Sequence, residues 1–548
     1  MKKVFVTSMA LALAMSLIVT ACSSNSENGS QNTAKPTDTG KQASETPKTK
    51  VNATGFPISN ENIQLTIMVK KAANQGAWQD LWISKHLEEK LGGKIVATEV
   101  DDASWNEKKN LAFAAGELPD FFMTNNAFTS TDVLNYGQQG QLIRLNELID
   151  KYAPNIKKFL DANPDVKKSI TDPKGNIYAL PGVNPVKREA SIGRYWINKQ
   201  WLDKLGLKMP TTLDEFYTVL KAFKEKDPNG NGKADEIPAS GSTANPLSMI
   251  VLSALGLVEG SWNGITLDKT GNKVIYAPQQ PEYKEYLIFM NKLFKEGLID
   301  PEYYTQNIQA YRGKAQQGLV GFFFDAAPVL SVGAEKYTDY PSFPPLTSPQ
   351  NNTKMWPVQR IVTLGGLSSM AITSKNKNPE ATMRIFDYAY TPEGGMSIRF
   401  GPDVGVLRQD AGVVKNSDNT WQFKNPADID SYTYRSKFVT NMSLTYTDQF
   451  SVNNKEAPDS IFLTQNIVNN QIPYGKPIYP NVFLTAAETE KVNKIQTDLK
   501  TYAEQLEAKF IYGETPISKW DEYIATLQKI GSKDLIDVYQ AAFDRWNK

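Results

Sequence analysis

Between Ile63 and Tyr390, short strand-like runs alternate with segments of helical periodicity, and this alternation constrains the fold more than any other feature. Ile63–Val69 alternates apolar and polar side chains, as a half-buried strand does. A helical stretch around Trp78–Leu91 follows, then a second strand over Lys94–Val100. AFAAGELPDFFM (112–123) combines a helix end, a stop at Gly116, a turn at Pro119 and another buried strand. GLVGFFFD (318–325) and LGGLSSMAIT (364–373) read as strands. Pro246–Leu257, Pro281–Gly297 and Pro379–Tyr390 read as helices, the last with proline near its first turn. Such alternation implies an α/β unit with a mostly parallel sheet. The last hundred or so residues are mainly helical, with Leu535, Ile536, Tyr539, Phe543 and Trp546 on one face.

Arg194–Glu236 carries the densest local signals. Arg194–Asn198 reads as a buried strand, and Asn198 can cap a helix that buries Trp201, Leu202 and Leu205 and stops at Gly206. Thr212-Leu-Asp-Glu215 is a capping box, in which hydroxyl and carboxylate each take one orphan N–H. The next helix spaces Leu213, Phe216, Leu220 and Phe223 on one side. An acidic, glycine-rich loop follows.

Of the 548 residues, 41% are hydrophobic and 22% charged, enough for two or more packed domains. The net charge is +1, and loss of an N-terminal segment carrying Lys2 and Lys3 would leave the chain balanced. That balance argues against nucleic acid as a partner, which needs a strong basic surplus. The single cysteine excludes an intramolecular disulfide. The single histidine, His86, reads as a helix-surface residue, because catalysis would need partners for it.

Lys2 and Lys3 precede an apolar run, Val4–Val19, that reads as a signal peptide over residues 1–21. It ends Val19-Thr20-Ala21-Cys22, which resembles a bacterial lipobox, in which the cysteine is acylated and becomes the new N-terminus. Acyl chains on Cys22 would tether the protein to the outer face of the membrane. No later stretch reaches the ~20 apolar residues that spanning requires. Residues 22–60, rich in Ser, Asn, Thr, Lys and Pro, read as a disordered tether.

Seven pieces together carry a family resemblance: AAGELPDFF (114–122), GQLIRLNELIDKYAPNI (140–156), GNIYALPG (175–182), RYWINKQWLDKLGLKMPTTLDEF (194–216), DPNGNGKADEIP (227–238), AITSKNKNPEATMRIFDYAYTPEGG (371–395) and FIYGETPISKW (510–520). In order and spacing the chain resembles the extracellular solute-binding proteins of ABC importers, the maltose-binding-like group. Within it, the chain is most similar to large lipoproteins of Gram-positive carbohydrate importers and to alginate-oligosaccharide-binding proteins. GPDVGV (401–406) departs from the longer glycine-rich turn of the family. The resemblance implies a two-lobed, type II periplasmic-binding-protein-like α/β fold, with mixed sheets flanked by helices. Lobe 1 would hold residues 60–190 plus 365–425, and lobe 2 residues 191–364 plus 426–548, with crossovers near Gly182–Arg194 and Val362–Met370. It also implies a monomer that captures an oligosaccharide and delivers it to an ABC transporter permease.

The loop after Phe223 offers ligands for a hard cation. Asp227, Asn229 and Asn231 fit positions 1, 3 and 5 of an EF-hand, Gly232 fits 6, and Lys233 would offer its carbonyl at 7. Position 12 is Pro238, so Asp235 and Glu236 would close a shortened loop. An Asx/Gly turn without metal is the alternative. The resemblance implies bound, structural Ca²⁺.

A sugar site needs aromatic rings against C–H faces and polar groups for the hydroxyl rim. Placement after strand ends or in loops favours Trp78, Trp105, Trp262 and Trp356, with Asp101 or Asp102, Asp325 and Arg360 as polar partners. Tyr195 and Trp196 alternate on the crossover strand, so one of them could face the cleft. The rival reading, a secreted glycoside hydrolase, requires a carboxylate pair at a set separation. A display or sensing lipoprotein without an importer is a third reading. A binding protein rather than an enzyme is the expectation.

Overall fold

Two small sheets, each wrapped by helices, organise the chain. The computed structural model describes residues 51–548 except 73–74, 185, 243–246, 261–262, 364–365, 418–420, 425, 427, 429–430 and 441–457. The expected signal peptide, Cys22 and Trp262 therefore lie outside the described residues. The strands that build the main sheets and the link between them are β1 (Ile63–Lys71), β2 (Gly93–Asp101), β3 (Phe121–Met123), β4 (Tyr195–Ile197), β5 (Ile237–Ser240), β6 (Val320–Phe324), β7 (Trp356–Val358), β8 (Met370–Ile372) and β9 (Gly475–Pro477).

The first sheet has the order β8-β3-β1-β2. β1 runs parallel to β2 and β3, and β8 runs antiparallel to β3. Leu65, Ile67 and Val69 of β1 face one core together with Phe121, Leu180, Met370 and Phe386. Met68 faces the other side with Trp105, Phe122 and Val133. Burial on both faces explains the apolar runs. The second sheet, β4-β6-β5, pairs β6 parallel to β5 and antiparallel to β4. Its core gathers Tyr195, Phe216, Leu220, Phe322 and Phe324, and the C-terminal helices Ala486–Tyr512 and Ser532–Asn547 add Leu499, Leu535 and Phe543.

Between the sheets the chain passes as an antiparallel ribbon. Asn184 N–H donates to Val362 O at 2.9 Å, Gln359 N–H to Ala190 O at 2.8 Å, and Ile192 N–H to Pro357 O at 3.1 Å. β7 pairs on with β9 in parallel. Phe483, just after β9, is 7% exposed and packs among Met68, Phe122 and Ala371 of the first sheet. Tyr434 and Val439, past residue 425, also join the first core.

Several local signals hold. Asn198 Oδ1 accepts the Trp201 N–H at 3.1 Å, and Gly206 takes the left-handed φ of 67° that ends the helix. Thr212 Oγ accepts the Glu215 N–H at 3.2 Å, but the Glu215 carboxylate reaches one residue further than a capping box requires, accepting from the Thr211 N–H and hydroxyl. His86 is half-buried, stacked on Trp82 at 4.4 Å and bonded to Tyr388 Oη at 2.8 Å. Burial first, then Lys90, lowers its pKa to about 4, so it is a packing residue.

One expectation is corrected at the N-terminal edge. Residues 51–60 are not part of the tether. Ile58 is fully buried, its N–H donates to Lys90 O at 2.8 Å, and Val51 bridges Ser59. One buried isoleucine with satisfied backbone is enough to dock a segment of tether-like composition.

The second core also contains carboxyls. Glu507 accepts from Tyr283 Oη at 2.5 Å and Tyr286 Oη at 2.7 Å. Nearby, half-buried Glu259 is pushed up to about 8, by burial first and then by the charge of Glu507. Since the folded value exceeds the free one, the folded state binds an extra proton between them. This contribution to stability is full below pH 4.5 and is lost as pH rises through about 8. Glu259→Gln is expected to flatten that decline, worth on the order of a few kcal/mol, in thermal melts at about pH 5 and about pH 8; an unchanged slope assigns the decline to other groups. Trp356→Ala is expected to lower stability by about 3–5 kcal/mol in urea titrations, as for other core aromatics; a loss below about 1 kcal/mol removes the ring from the core.

Candidate functional site

A cavity of about 620 Å³ opens beside the ribbon, between elements of the two cores. Ser130, Thr131 and Leu134 form one wall, at the start of the helix Ser130–Gln138. A reciprocal cap holds that start: Thr129 Oγ accepts the Asp132 N–H at 3.1 Å, and Asp132 accepts the Thr129 N–H at 2.9 Å. Lys109, 2% exposed, pins Asp132 from behind at 2.6 Å. Gln359, Arg360, Ile361 and Thr363 of the ribbon contribute a second side. Gly260, Asn263, the C-terminal helices and the segment Ile478–Leu484 supply the rest.

Hydroxyl- and amide-bearing residues make up half of this lining, and several of them are oriented by one another. Asn263 Nδ2 donates to Tyr539 Oη at 3.1 Å, and Tyr539 Oη donates to Gln496 Oε1 at 3.3 Å. Tyr479 Oη donates to Tyr539 O at 2.8 Å, and the two rings lie 5.5 Å apart edge to face. Burial raises both phenol pKa values, so both stay protonated donors at neutral pH. Such a surface offers flat C–H contact and fixed hydrogen-bond partners, which suits a polyhydroxylated ligand.

Among the sequence-derived candidates, Arg360 lines this cavity. It is exposed, its guanidinium 5.4 Å from the Trp546 ring. Trp262 lies outside the described residues, but its neighbours Gly260 and Asn263 line the cavity. The other aromatic candidates are buried by packing instead. Trp78, 3% exposed, donates to Ile95 O at 3.0 Å, and Trp105, 1% exposed, donates to Ala127 O at 3.0 Å. Trp356 is fully buried against Tyr195 and donates to Ser191 Oγ at 2.9 Å. Tyr195 and Trp196 are both fully buried, because β4 is covered on each face; they donate to Phe343 O and Asp325 O. Asp325 spends its carboxylate on Arg312, at 2.8 Å to each oxygen, and on Ser331. Asp102 is exposed at the end of β2 and pairs with Lys70 at 2.9 Å. The lining residues that sequence reasoning missed, Asn263, Tyr479, Asn481, Gln496, Lys500 and Tyr539, come together only through tertiary packing. For Tyr479 and Asn481 the available cue was the aromatic-amide loop IYPNVF (478–483) between strand and helix.

The acidic loop has its own geometry. The Asp227 carboxylate accepts from the Gly230, Asn231 and Gly232 N–H groups at 2.9–3.2 Å, with Asp227 itself at φ 46°. Asn229 Oδ1 and Asn231 Oδ1 accept from the N–H groups of Asn231 and Lys233, while their amide nitrogens donate to Asp235. Both Glu236 oxygens are buried without a partner. Burial first, and then the charges of Asp227 and Asp235, raise its pKa. Orphaned carboxylate oxygens beside two further acids fit a hard cation. Among the described residues no trio of His, Cys, Asp or Glu makes a metal centre alone, so amide and carbonyl oxygens would have to complete the set.

Comparison with known proteins places this architecture. The chain is 29% identical to the fructooligosaccharide ABC transporter substrate-binding protein FusA of Streptococcus pneumoniae, over 99% of this chain and 98% of FusA. The solved structure of a FusA EF-hand mutant in complex with fructo-nystose covers 88% of this chain and 99% of its own, at 28% identity and TM-score 0.74. An extracellular solute-binding protein of Bifidobacterium longum subsp. infantis superposes with TM-score 0.78 at 25% identity, over 88% of this chain and 98% of its own. Lipoprotein LipO of Bacillus subtilis is 31% identical over 44% of this chain and 46% of LipO. Residues 69–396 match the family described as bacterial extracellular solute-binding protein, and the chain belongs to that family, with its two-lobed α/β fold.

Proposed function

We propose that this protein captures an oligosaccharide in the cavity beside the ribbon and delivers it to the permease of an ABC importer. The observation that carries this reading is the cavity lining itself: tyrosine rings, hydroxyls and amides drawn from both cores, at the place where the chain crosses between them. The lobes proposed are residues 51–190 with 366–440, and 191–363 with 458–548, and closure would proceed by rotation about the ribbon. The full-length similarity to FusA supports a carbohydrate ligand. A glycoside hydrolase would need paired carboxylates, and the described lining residues include no Asp or Glu, which favours binding without chemistry. The lipobox-like Cys22 supports anchoring of a monomer by lipid outside the cell, in line with the similarity to LipO; no described helix is long and apolar enough to cross a membrane.

Ca²⁺ would be held by Asp227, Asn229, Asn231, the Lys233 carbonyl, Asp235 and Glu236. It would neutralise converging carboxylates and tie the end of the helix Leu213–Glu225 to the start of β5. Its role is structural, since these residues are not among those lining the cavity.

Two measurements test these readings. Titration calorimetry with neutral and acidic oligosaccharides should reveal a ligand that is recovered intact, and at a hundredfold excess over its Kd that ligand should add about 2.7 kcal/mol to stability. Trp262→Ala should weaken its binding by about 1 kcal/mol or more; unchanged affinity places Trp262 outside the site, and product formation supports the hydrolase. Chelation should lower the melting temperature and Ca²⁺ should restore it. If neither moves it, the loop is a plain Asx turn.

A further inference from the structure

The chain as a whole is close to charge-neutral, yet the charged side chains among the described cavity-lining residues are Arg360 and Lys500, both cationic. Arg360 is exposed and has no ion pair among the described residues; its guanidinium faces the ring of Trp546 at 5.4 Å. Lys168, from the opposite core, approaches the same ring at 5.4 Å and adds positive charge at this edge. The carboxylate nearest Lys500 is Glu504, 3.8 Å away one helical turn on, with side chains 44% and 63% exposed. Such a contact is loose and solvent-screened. Closer pairs elsewhere hold their cation at 2.6–2.8 Å: Arg312 to Asp325, Lys109 to Asp132 and Lys314 to Asp300. Like charges lining one cavity, with only a screened contact to Glu504 and no acid in the described lining, repel each other and focus positive potential into the space between the walls. A guanidinium held over a ring still presents its edge, whose paired N–H groups match a carboxylate.

We propose that the cavity selects acidic oligosaccharides, with the carboxylate of a uronic acid residue recognised by Arg360 and the charge of a neighbouring one balanced by Lys500. This rests on the oligosaccharide-capture reading above and names its substrate class.

The test uses trimers of galacturonate and of mannuronate, each as the free acid and as the fully methyl-esterified, neutral sugar, titrated into the intact protein by calorimetry. At least one acid should bind tenfold or more tightly than its own ester, and its affinity should fall as salt rises. Arg360→Gln should cut acid binding at least tenfold and ester binding much less, and Lys500→Gln should act the same way more weakly. A melting curve like that of the unmodified protein would show that each variant is folded. Equal affinity for acid and ester, or equal losses for both in Arg360→Gln, overturns the anionic assignment. Tight binding of kestose with no response to either acid also overturns it, and leaves oligosaccharide capture standing. Failure of every acidic and neutral oligosaccharide to bind overturns both.

Discussion

The pairing of Gly182, Asn184, Ala190 and Ile192 with Gly366, Val362, Gln359 and Pro357 is the interaction on which the rest of the molecule depends. A few backbone hydrogen bonds, such as Asn184 to Val362 and Gln359 to Ala190, set how two separately closed cores face each other. Each core satisfies its own apolar surface, so little hydrophobic area is left to force them together. The ribbon side chains Gln359, Arg360 and Thr363 are thereby exposed to the space between walls rather than consumed by either core. A polar site results because neither core has claimed it.

Local features of the fold were legible in the sequence because they are settled within a few residues. Asn198 caps its helix, Gly206 ends it, and the runs at 63–69 and 320–324 are strands. The cavity was far less legible. Trp78, Trp105, Trp196 and Trp356 follow or lie in strands and look like platforms for a sugar. Each instead buries its ring and gives its indole N–H to an internal oxygen. Spacing cannot distinguish a ring facing a cleft from one facing a core, because the difference lies in which distant segment covers it. Arg360 was found because it is a cation next to a strand with no periodic role. Tyr479, Gln496 and Tyr539 sit on segments whose patterns already have packing explanations.

The acidic loop and the cavity show opposite electrostatic habits. In the loop, carboxylates converge and Glu236 is left with partnerless oxygens. In the cavity, Arg360 and Lys500 share walls that carry no acid among the described residues. Several buried charges elsewhere are matched at close range, as in Asp300 with Lys314 and Lys109 with Asp132. A near-zero total charge therefore conceals two local imbalances of opposite sign, each at a place suited to a ligand of the complementary sign.

Phe483 has a mechanical consequence. The rotation proposed for the two bodies would turn about the ribbon as its axis. Phe483 is embedded beside the first sheet, while Thr485, two residues on, caps the long helix of the second core. This is a third attachment, set apart from the axis. Such a rotation would load the short backbone around Leu484 between these two anchor points. In the rotation proposed about the ribbon, this attachment would act as a stop, with the short backbone from Phe483 to Thr485 taking up the travel.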